Sequence, residues 1–259
     1  MLVTVLDFET TGVDNKECGM LEVGSVVWEA KEERIITAFS NIVDPRTFPD
    51  QPNTLDDRVS DDITALTGIT EEMVEYGGID MIAVGEVLFS QTRMSCNYIC
   101  AHNAPYERGI LERYWPEQSK DLIWLDTATD LELPPHYRGG HSLGALCWET
   151  HIANPAPHSA LGDAIATAML LSKYDIAKTI DNATATKIEV IAMVSYDDRQ
   201  RAKDAGFRYD GNTKKWKKTI KEKQLDEMCA IWPFAVQIVQ PVTTYQVAKQ
   251  EPFLEPANV

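Results

Sequence analysis

The sequence begins with a short apolar run that ends in two acidic residues. Residues 3–12 read Val-Thr-Val-Leu-Asp-Phe-Glu-Thr-Thr-Gly, and the β-branched residues at the start of this run predict a β-strand. Because successive side chains of a strand point to opposite faces, Asp7 and Glu9 share one face while Phe8 points into the fold. Neighbouring carboxylates repel each other, whereas a bound Mg²⁺ or Mn²⁺ stabilises them. The run therefore predicts a metal site, with a solvent-facing acidic strand end as the alternative.

The length and composition predict one sizeable domain followed by a small one. The chain has 259 residues, of which 44% are hydrophobic and 25% charged, as in ordinary globular proteins. No apolar run approaches the roughly 20 residues of a membrane helix, and the N-terminus has no signal-peptide pattern. The five cysteines include no Cys-x-x-Cys pair. We therefore expect reduced thiols in the cytoplasm, without disulfides or a zinc site.

The net charge of −16 is divided unevenly along the chain. Residues 187–259 carry 12 basic and 10 acidic residues, whereas residues 1–186 carry 12 basic and 30 acidic ones. An acidic first domain argues against a protein that holds nucleic acid mainly by bulk electrostatics. It is compatible with an enzyme that holds one end of a strand through metal ions.

The order of the predicted elements indicates an α/β fold with a mixed sheet that is covered by helices on both faces. The strands that follow the first one are predicted at residues 21–28, 34–43, 96–100 and 123–126, with the first three strands antiparallel. Helices are predicted at residues 61–66, from 71 onward, and at 82–91, 105–115, 126–131, 142–150 and 159–174. The predicted helix caps are Ser60, Thr70, Asn103 and Ser159.

A second polar segment lies where a predicted strand passes into a helix. Residues 101–107 read Ala-His-Asn-Ala-Pro-Tyr-Glu. Ligands of open α/β sheets gather at the carboxyl ends of strands, which is where this segment falls. Glu107 is accordingly a candidate ligand, although a favourable interaction with the helix dipole would also explain an acid there.

A third segment, residues 158–163, reads His-Ser-Ala-Leu-Gly-Asp at a predicted helix start. Residues five apart do not share one face of a helix with about 3.6 residues per turn. Placed on either side of the helix start, however, His158 and Asp163 can reach a single point. An imidazole with an ordinary pKa of about 6.5 suits a general base. The alternative is a purely structural His158 with a solvated Asp163.

Together the three segments resemble the DEDDh exonucleases, a family that includes bacterial proofreading subunits, exonuclease X and ribonuclease T. The likeness is carried by residues 5–12, 66–74, 101–111 and 158–170 and covers roughly residues 1–178. It implies a ribonuclease H-like fold and 3′→5′ hydrolysis of single-stranded ends, with release of nucleoside 5′-monophosphates. It also implies two bound divalent cations, Mg²⁺ or Mn²⁺.

The resemblance assigns roles to individual residues. The metal ligands would be Asp7, Glu9, Glu107 and Asp163, and His158 would be the general base. The backbone at Thr10 and the side chain of Asn103 would hold the terminal nucleotide. Thr11 and His102 are further candidates for substrate binding, with bracing of the active-site loop as the alternative role of His102.

One position departs from the family, because the second segment normally ends in Asp where this chain has Glu107. The longer side chain moves the carboxylate outward, and Mg²⁺ tolerates less distortion than Mn²⁺ does. We therefore hypothesise an active enzyme that prefers Mn²⁺, with Glu112 and Asp126 as weaker substitutes for this ligand.

The character of the chain changes near residue 187. We predict an exonuclease domain at residues 1–180, a small basic α+β domain at 187–240 and a tail at 241–259. Residues 199–223 contain 10 basic and 3 acidic residues with aromatic residues between them, a pattern that suits the stacking of bases and the binding of phosphates. The candidate contacts are Lys214, Lys215 and Trp216. Alternatively, the aromatic residues form the core of this domain and the lysines its solvated surface.

The preferred function is a 3′→5′ exonuclease that acts on single-stranded DNA. An RNA-trimming exonuclease is the main alternative, because substrate choice depends on contacts to the 2′ position. A catalytically weak module that binds ends, and a proofreading subunit that works with a polymerase or another replication protein, are further alternatives.

Overall fold

The computed structural model describes residues 1–49, 57–134, 140–154 and 156–242. The chain divides into two units, Met1–Ala183 and Thr184–Val259. Most of the predicted tail, residues 243–259, lies outside the described residues. Within the described ranges, no helix combines the length and the apolar character that a membrane span requires.

The first unit is built on a mixed sheet. Its strands are β1 (Leu2–Thr10), β2 (Met20–Glu29), β3 (Arg34–Asp44), β4 (Ile79–Asp80), β5 (Tyr98–Ala101) and β6 (Ile123–Asp126). They lie in the order β4-β3-β2-β1-β5-β6. The pairs β1–β2 and β2–β3 are antiparallel, whereas β1–β5, β5–β6 and β3–β4 are parallel. The predicted α/β fold with three antiparallel strands at its start is confirmed.

Helices connect and cover these strands. They are α1 (Asp61–Thr67), α2 (Glu71–Gly77), α3 (Met81–Met94), α4 (Pro105–Tyr114), α5 (Pro116–Ser119), α6 (Leu143–Glu149), α7 (Ala160–Leu171) and α8 (Ile176–Thr184), with a 3₁₀ turn at Pro45–Thr47. Ser60 and Thr70 cap α1 and α2 as predicted, each by accepting a backbone N–H bond with its side chain. Short β4 and helix α8 were not predicted.

Three local predictions are wrong. Asn103 does not cap α4: its φ is +70°, and the helix starts after Ala104 without a side-chain cap. Ser159 occupies the N-cap position of α7, but its side chain does not cap the helix. The predicted helix at 126–131 does not form: β6 ends at Asp126, and residues 127–130 form turns. The carboxylate of Asp130 accepts the backbone N–H of Asp126, and the carboxylate of Asp126 accepts the N–H of Ala128.

The alternation of side chains along β1 divides the core between the two faces of the sheet. Leu6 and Phe8 pack with residues of α3 and α4 on one face. Val3 and Val5 pack with residues of α6 and α7 on the other. Burial of each large apolar side chain contributes roughly 1.5–3 kcal/mol. Because the alternation continues, the acids at positions 7 and 9 emerge on the face that α7 covers.

Helix α7 lies directly against the backbone of β2. A Cβ atom at Gly24 would lie 2.1 Å from the carbonyl carbon of Ala160 and 2.1 Å from the nitrogen of Leu161. Real atoms do not approach this closely, so glycine at position 24 is what allows the first turn of α7 to touch the sheet. This contact brings the start of α7 next to the acidic end of β1.

The second unit contains a four-stranded antiparallel sheet in its described part, in the order β10-β7-β9-β8. Its elements are β7 (Lys187–Ala192), α9 (Arg199–Asp204), β8 (Arg208–Asp210), β9 (Lys215–Lys221), a 3₁₀ turn at Glu222–Gln224, α10 (Leu225–Ile231) and β10 (Val236–Val242). Phe207 and Trp232 meet edge to face in its core, with ring centroids 5.0 Å apart. Strands β8 and β9 form an antiparallel hairpin.

Candidate active site

The end of β1 and the start of α7 bring three potential metal ligands together. Ligand atoms of Glu9, His158 and Asp163 lie within 4.8 Å of one another. His158 is exposed and has a φ of +61°, and this left-handed turn aims its backbone N–H at Asp163 Oδ2, 3.2 Å away. Asn154 donates a side-chain hydrogen bond to the other oxygen of Asp163. Both oxygens of this carboxylate are therefore held by the loop that leads into α7.

Two more acids lie next to this group, and their charges interact with it. Burial raises the pKa of Asp7 well above its ordinary value, and the carboxylates of Glu107, Glu9 and Asp163 raise it further. Burial is also the main reason why the pKa of Glu9 rises to about 7, with Asp163 next in importance. The acidic residues of β1, α4 and α7 thus form one cluster of mutually repelling carboxylates.

Glu107 is the most deeply buried member of the cluster. Its side chain projects from the first turn of α4 and is 4% exposed. Burial raises the pKa of Glu107 to about 8, an effect that its own backbone N–H opposes and the carboxylates of Asp126 and Glu9 reinforce. Its Oε2 atom is buried and has no hydrogen-bond partner within the described residues. A buried, unpaired carboxylate oxygen is costly unless something else coordinates it.

Glu112 and Asp126, the two weaker substitutes for Glu107 as a ligand, interact with other partners. Glu112 is exposed and pairs with Arg108 at 2.7 Å. Asp126 accepts backbone N–H bonds from Asn103 and Ala128, each at 2.9 Å. Among these three acids, only Glu107 combines burial with an unpaired oxygen.

The cluster fits a hard divalent cation. Carboxylate oxygens are the donors that suit Mg²⁺ and Mn²⁺. The unpaired oxygen of Glu107 and the raised pKa values of Asp7 and Glu9 describe a site whose repulsion a cation would relieve. The residues at the end of β1 therefore fit the metal site that the sequence predicts.

Three of the four candidate nucleotide-binding residues of the first unit already form side-chain hydrogen bonds within the protein, whereas the fourth is exposed. The hydroxyl of Thr10 donates to the carbonyl of Gly12 at 2.7 Å, and that of Thr11 accepts the N–H of Gly19 at 2.8 Å. His102 Nδ1 lies 2.9 Å from the hydroxyl of Thr127, in a half-buried position where burial lowers its pKa. All three side chains therefore brace loops of the site.

Asn103, in contrast, is exposed and borders a surface pocket. The volume of this pocket is about 450 Å³, and it is lined by Val13, Asp14, Asn15, Asn103, Pro105 and Tyr106. The loop between β1 and β2 forms one wall and the start of α4 the other. Tyr106 connects the two walls by donating its hydroxyl to the carbonyl of Gly12 at 2.6 Å.

Glu22 is a participant that the sequence reasoning missed. It lies on β2 directly opposite Glu9, and its carboxylate accepts the N–H of Ala160 at 3.0 Å and the hydroxyl of Ser159 at 3.4 Å. Its charge also contributes to the raised pKa of Glu9. The signal available in the sequence was a single acid inside an otherwise apolar strand.

The basic candidates of the second unit lie at the turn between β8 and β9. Lys214 and Lys215 are exposed, and Lys214 has a φ of +55°. Trp216 is half-buried against the core, and its ring centroid lies 5.5 Å from that of Tyr209. The turn thus has solvated lysines beside an aromatic residue that belongs partly to the core.

The mixed sheet and its carboxylate cluster define a nuclease of the ribonuclease H-like type. A sequence model of the RNase_T family, described as an exonuclease family, matches residues 4–171. The chain belongs to this family, and the resemblance to DEDDh exonucleases is confirmed. Membership implies divalent metal ions. Residues 189–239 match a second family, described only as a domain of unknown function.

The similar curated proteins are much longer than this chain. A PolC-type DNA polymerase III from Thermotoga petrophila is 27% identical over 191 residues, which are 71% of this chain and 13% of the polymerase. Its counterpart from Clostridium perfringens is 30% identical over 119 residues, which are 46% of this chain and 7% of the polymerase. The chain thus spans a small part of the length of these relatives.

Solved structures support the fold. A structure of exonuclease I superposes with a TM-score of 0.53 and 15% identity, covering 74% of this chain and 48% of the other. The E. coli enzyme in complex with a dT13 oligonucleotide gives a TM-score of 0.52 over the same shares, also at 15% identity. At this level of identity, the likeness concerns the fold alone.

The carboxylate cluster predicts that the metal-free protein loses stability as the pH rises. The folded pKa of Glu9 is raised from its ordinary 4.5 to about 7, and that of Glu107 from 4.5 to about 8. The folded state therefore binds more protons than the unfolded state across this window, and stability present below about pH 4.5 is lost as the pH rises toward 8. We expect the melting temperature in EDTA to fall between pH 5 and pH 8, and saturating Mn²⁺ to reduce that fall.

Differential scanning fluorimetry at matched ionic strength measures this effect. In EDTA, the Glu9→Gln variant should show a shallower fall than the wild type, because one of the repelling carboxylates is gone. Glu112→Gln, which removes an exposed acid of α4, should behave like the wild type. A melting temperature that rises steadily with pH in EDTA would contradict the prediction.

Proposed function

We propose that the protein is a metal-dependent 3′→5′ exonuclease that releases nucleoside 5′-monophosphates from single-stranded DNA ends. The observation that carries the proposal is the convergence of Glu9, His158 and Asp163 within 4.8 Å, beside the buried acids Asp7 and Glu107. Similarity to PolC-type polymerases over most of the chain supports DNA as the substrate and a role in replication or repair. The same likeness supports a polymerase or another replication protein as a partner.

The carboxylates in this proposal hold the cations. Asp7, Glu9, Glu107 and Asp163 would bind two divalent ions, Mg²⁺ or Mn²⁺. When bound, two such ions offset the negative charge that develops on the attacking and leaving oxygens of an in-line displacement. The fixed orientation of the Asp163 carboxylate supports this role, because both of its oxygens are already positioned by Asn154 and the backbone of His158.

His158 acts as the general base. Its ring is exposed to solvent while its backbone is tied to Asp163, so it can accept a proton from the attacking water at the edge of the carboxylate cluster. An imidazole is suited to this exchange near neutral pH. As the proton moves to the ring, the water oxygen bonds to the phosphorus and the bond from phosphorus to the 3′ oxygen breaks. That oxygen takes a proton from solvent and becomes the 3′ hydroxyl of the shortened strand.

The pocket between the β1–β2 loop and α4 receives the terminal nucleotide. Its volume of about 450 Å³ falls within the range of small-molecule sites. Asn103 offers an exposed amide at its border, and the backbone at Thr10 lies at the end of β1 next to the acids. The hydroxyls of Thr10 and Thr11 and the ring of His102 shape these loops from behind.

A single-stranded DNA oligonucleotide labelled at its 5′ end tests the function. With Mg²⁺ or Mn²⁺ we expect a ladder that shortens from the 3′ end, and with EDTA no ladder. The double variant Asp7→Asn, Glu9→Gln should lose more than about 100-fold in rate, since even mutations of residues that only support metal ligands cost about 10–100-fold. Chromatography of the released product should identify nucleoside 5′-monophosphates.

A matching RNA strand decides between the substrates. Faster shortening of RNA would replace DNA by RNA as the substrate. Binding of strand ends without any product, with either metal, would favour a binding module. Activity that requires an added polymerase would instead indicate a proofreading subunit.

The metal preference at position 107 can be tested separately. We propose that the longer side chain of Glu107 favours Mn²⁺, because Mg²⁺ demands near-ideal octahedral geometry. Glu107→Asp should lower the ratio of Mn²⁺-supported to Mg²⁺-supported rates by about tenfold, which corresponds to about 1.4 kcal/mol. Glu112→Asp on the same helix is the matched control and should leave the ratio unchanged. An unchanged ratio in the Glu107→Asp variant would eliminate the preference.

We further propose that the turn between β8 and β9 contacts the nucleic-acid strand. Lys214 and Lys215 are exposed, and no ion pair of either residue occurs among the described residues. Lys217 is paired with Asp210 at 2.9 Å, and Lys218 donates to the carbonyl of Ala205 at 2.7 Å. The half-buried Trp216 would add a ring edge for stacking beside the two open lysines.

Replacing the two open lysines should weaken binding in a salt-dependent way. For Lys214→Gln, Lys215→Gln in the Asp7→Asn, Glu9→Gln background, we expect the slope of log K against log salt to shrink by about 0.7 per lost phosphate contact. Fluorescence anisotropy with single-stranded DNA in EDTA measures the slope. Lys31→Gln, Lys120→Gln removes the same charge from the first unit and serves as the control. Equal slopes in all three proteins would count against this surface.

A further inference from the structure

The carboxylate of Glu22 lies at a position where it is repelled by another carboxylate. In the register of β1 and β2, it is directly opposite Glu9. Like charges that face each other across an antiparallel pair are destabilising, so an acid at this position needs compensating contacts. Its hydrogen bonds supply them: Glu22 Oε2 accepts the N–H of Ala160 at 3.0 Å, and Oε1 accepts the hydroxyl of Ser159 at 3.4 Å.

These bonds complete the first turn of α7 from outside the helix. The first N–H groups of a helix have no partner within it, and a side chain at the N-cap commonly accepts one of them. Ser159 holds the N-cap position of α7 but does not cap it. The N–H of Ala160, the first residue of α7, is accepted by a strand residue 138 positions away. A carboxylate is favourable there because the start of a helix carries partial positive charge.

Close packing at Gly24 is a second contact between β2 and the first turn of α7. Gly24 follows Glu22 by two residues, so both face α7. The close approach at Gly24 fixes the distance between β2 and the first turn of α7, and the bond from Glu22 fixes the position of the helix along the strand. His158 and Asp163 lie immediately before and within that turn.

We propose that Glu22 is a positioning residue, which sets the start of α7 against β2 so that His158 and Asp163 converge with Glu9. This inference rests on the proposed exonuclease site. Glu22 acts through the backbone of Ala160 and the hydroxyl of Ser159, and its role is therefore distinct from that of a metal ligand. A change at Glu22 should loosen the ligand set without altering the nucleotide pocket, which is formed by other segments.

Two substitutions separate positioning from ligation. Glu22→Gln keeps an oxygen that can accept the N–H of Ala160, whereas Glu22→Ala removes it. For Glu22→Ala we expect kcat on single-stranded DNA to fall about 10–100-fold, as for other residues that support metal ligands, with KM unchanged. For Glu22→Gln we expect kcat to stay near that of the wild type. All rates are measured well below each protein's melting temperature.

Mn²⁺ binding, followed by calorimetry without DNA, gives a readout that does not depend on turnover. Glu22→Ala should weaken Mn²⁺ binding about tenfold, and Glu22→Gln should restore it. Glu29→Ala is the matched control, because Glu29 lies at the other end of β2 and also accepts backbone N–H bonds, at Lys31 and Glu32. It should lower stability but leave Mn²⁺ binding and kcat unchanged.

The outcomes distinguish this inference from the proposed function. Wild-type kcat and Mn²⁺ affinity in Glu22→Ala would overturn the positioning role, and so would a loss in Glu22→Gln as large as in Glu22→Ala. An equal loss in Glu29→Ala would reduce the role of Glu22 to general stability and also overturn it. A wild-type protein that cleaves no oligonucleotide would refute the proposed function, while the Mn²⁺ titrations would still decide the role of Glu22.

Discussion

Repulsion among carboxylates at the end of β1 is the constraint on which the first unit depends. Burial raises the pKa values of Asp7, Glu9 and Glu107, and neighbouring carboxylates raise each of them further. Such a cluster lowers the stability of the folded chain at neutral pH unless a cation or protons neutralise it. The apolar side chains on the two faces of the sheet must offset this cost. Under the proposed function, this loss of stability falls on the residues that bind the metal ions.

The surrounding contacts keep the acids together in spite of their repulsion. Asp7 and Glu9 are fixed by the ladders of β1, and Glu107 by the first turn of α4. Arg113 ties α4 to the loop between β1 and β2 by donating to the carbonyl of Asn15 at 2.9 Å. On the other side, Gly24 and Glu22 hold α7 against β2. Each acid therefore belongs to a rigid element that is anchored by contacts outside the cluster.

The sequence predicted those features that depend on residues close together in the chain. The two-residue period of a strand placed Asp7 and Glu9 on one face, and Ser60 caps its helix because the bonded N–H lies three residues away. Ser159 follows the same local rule, yet the prediction for it was wrong: its hydroxyl donates to Glu22, which is distant in the chain, and accepts no N–H of the helix. No local pattern reveals such a partner. The helix predicted at 126–131 does not form because the carboxylates of Asp126 and Asp130 accept backbone N–H groups and so compete with helical hydrogen bonds.

Under the proposed function, the different charges of the two units give them different roles. Residues 1–186 carry 30 acidic and 12 basic residues, so the first unit repels a phosphate backbone except where metal ions neutralise it. Residues 199–223 carry 10 basic and 3 acidic residues, but Lys217 and Lys218 are bound within their own unit, which leaves fewer charges for a ligand than the sequence alone indicates. Under the proposed function, metal ions govern the capture of the strand end, and the open lysines supply the attraction that depends on salt. Substitutions in the first unit should therefore change mainly the dependence of activity on metal ions. Substitutions in the second unit should change mainly the dependence of binding on salt, because the groups responsible belong to different units.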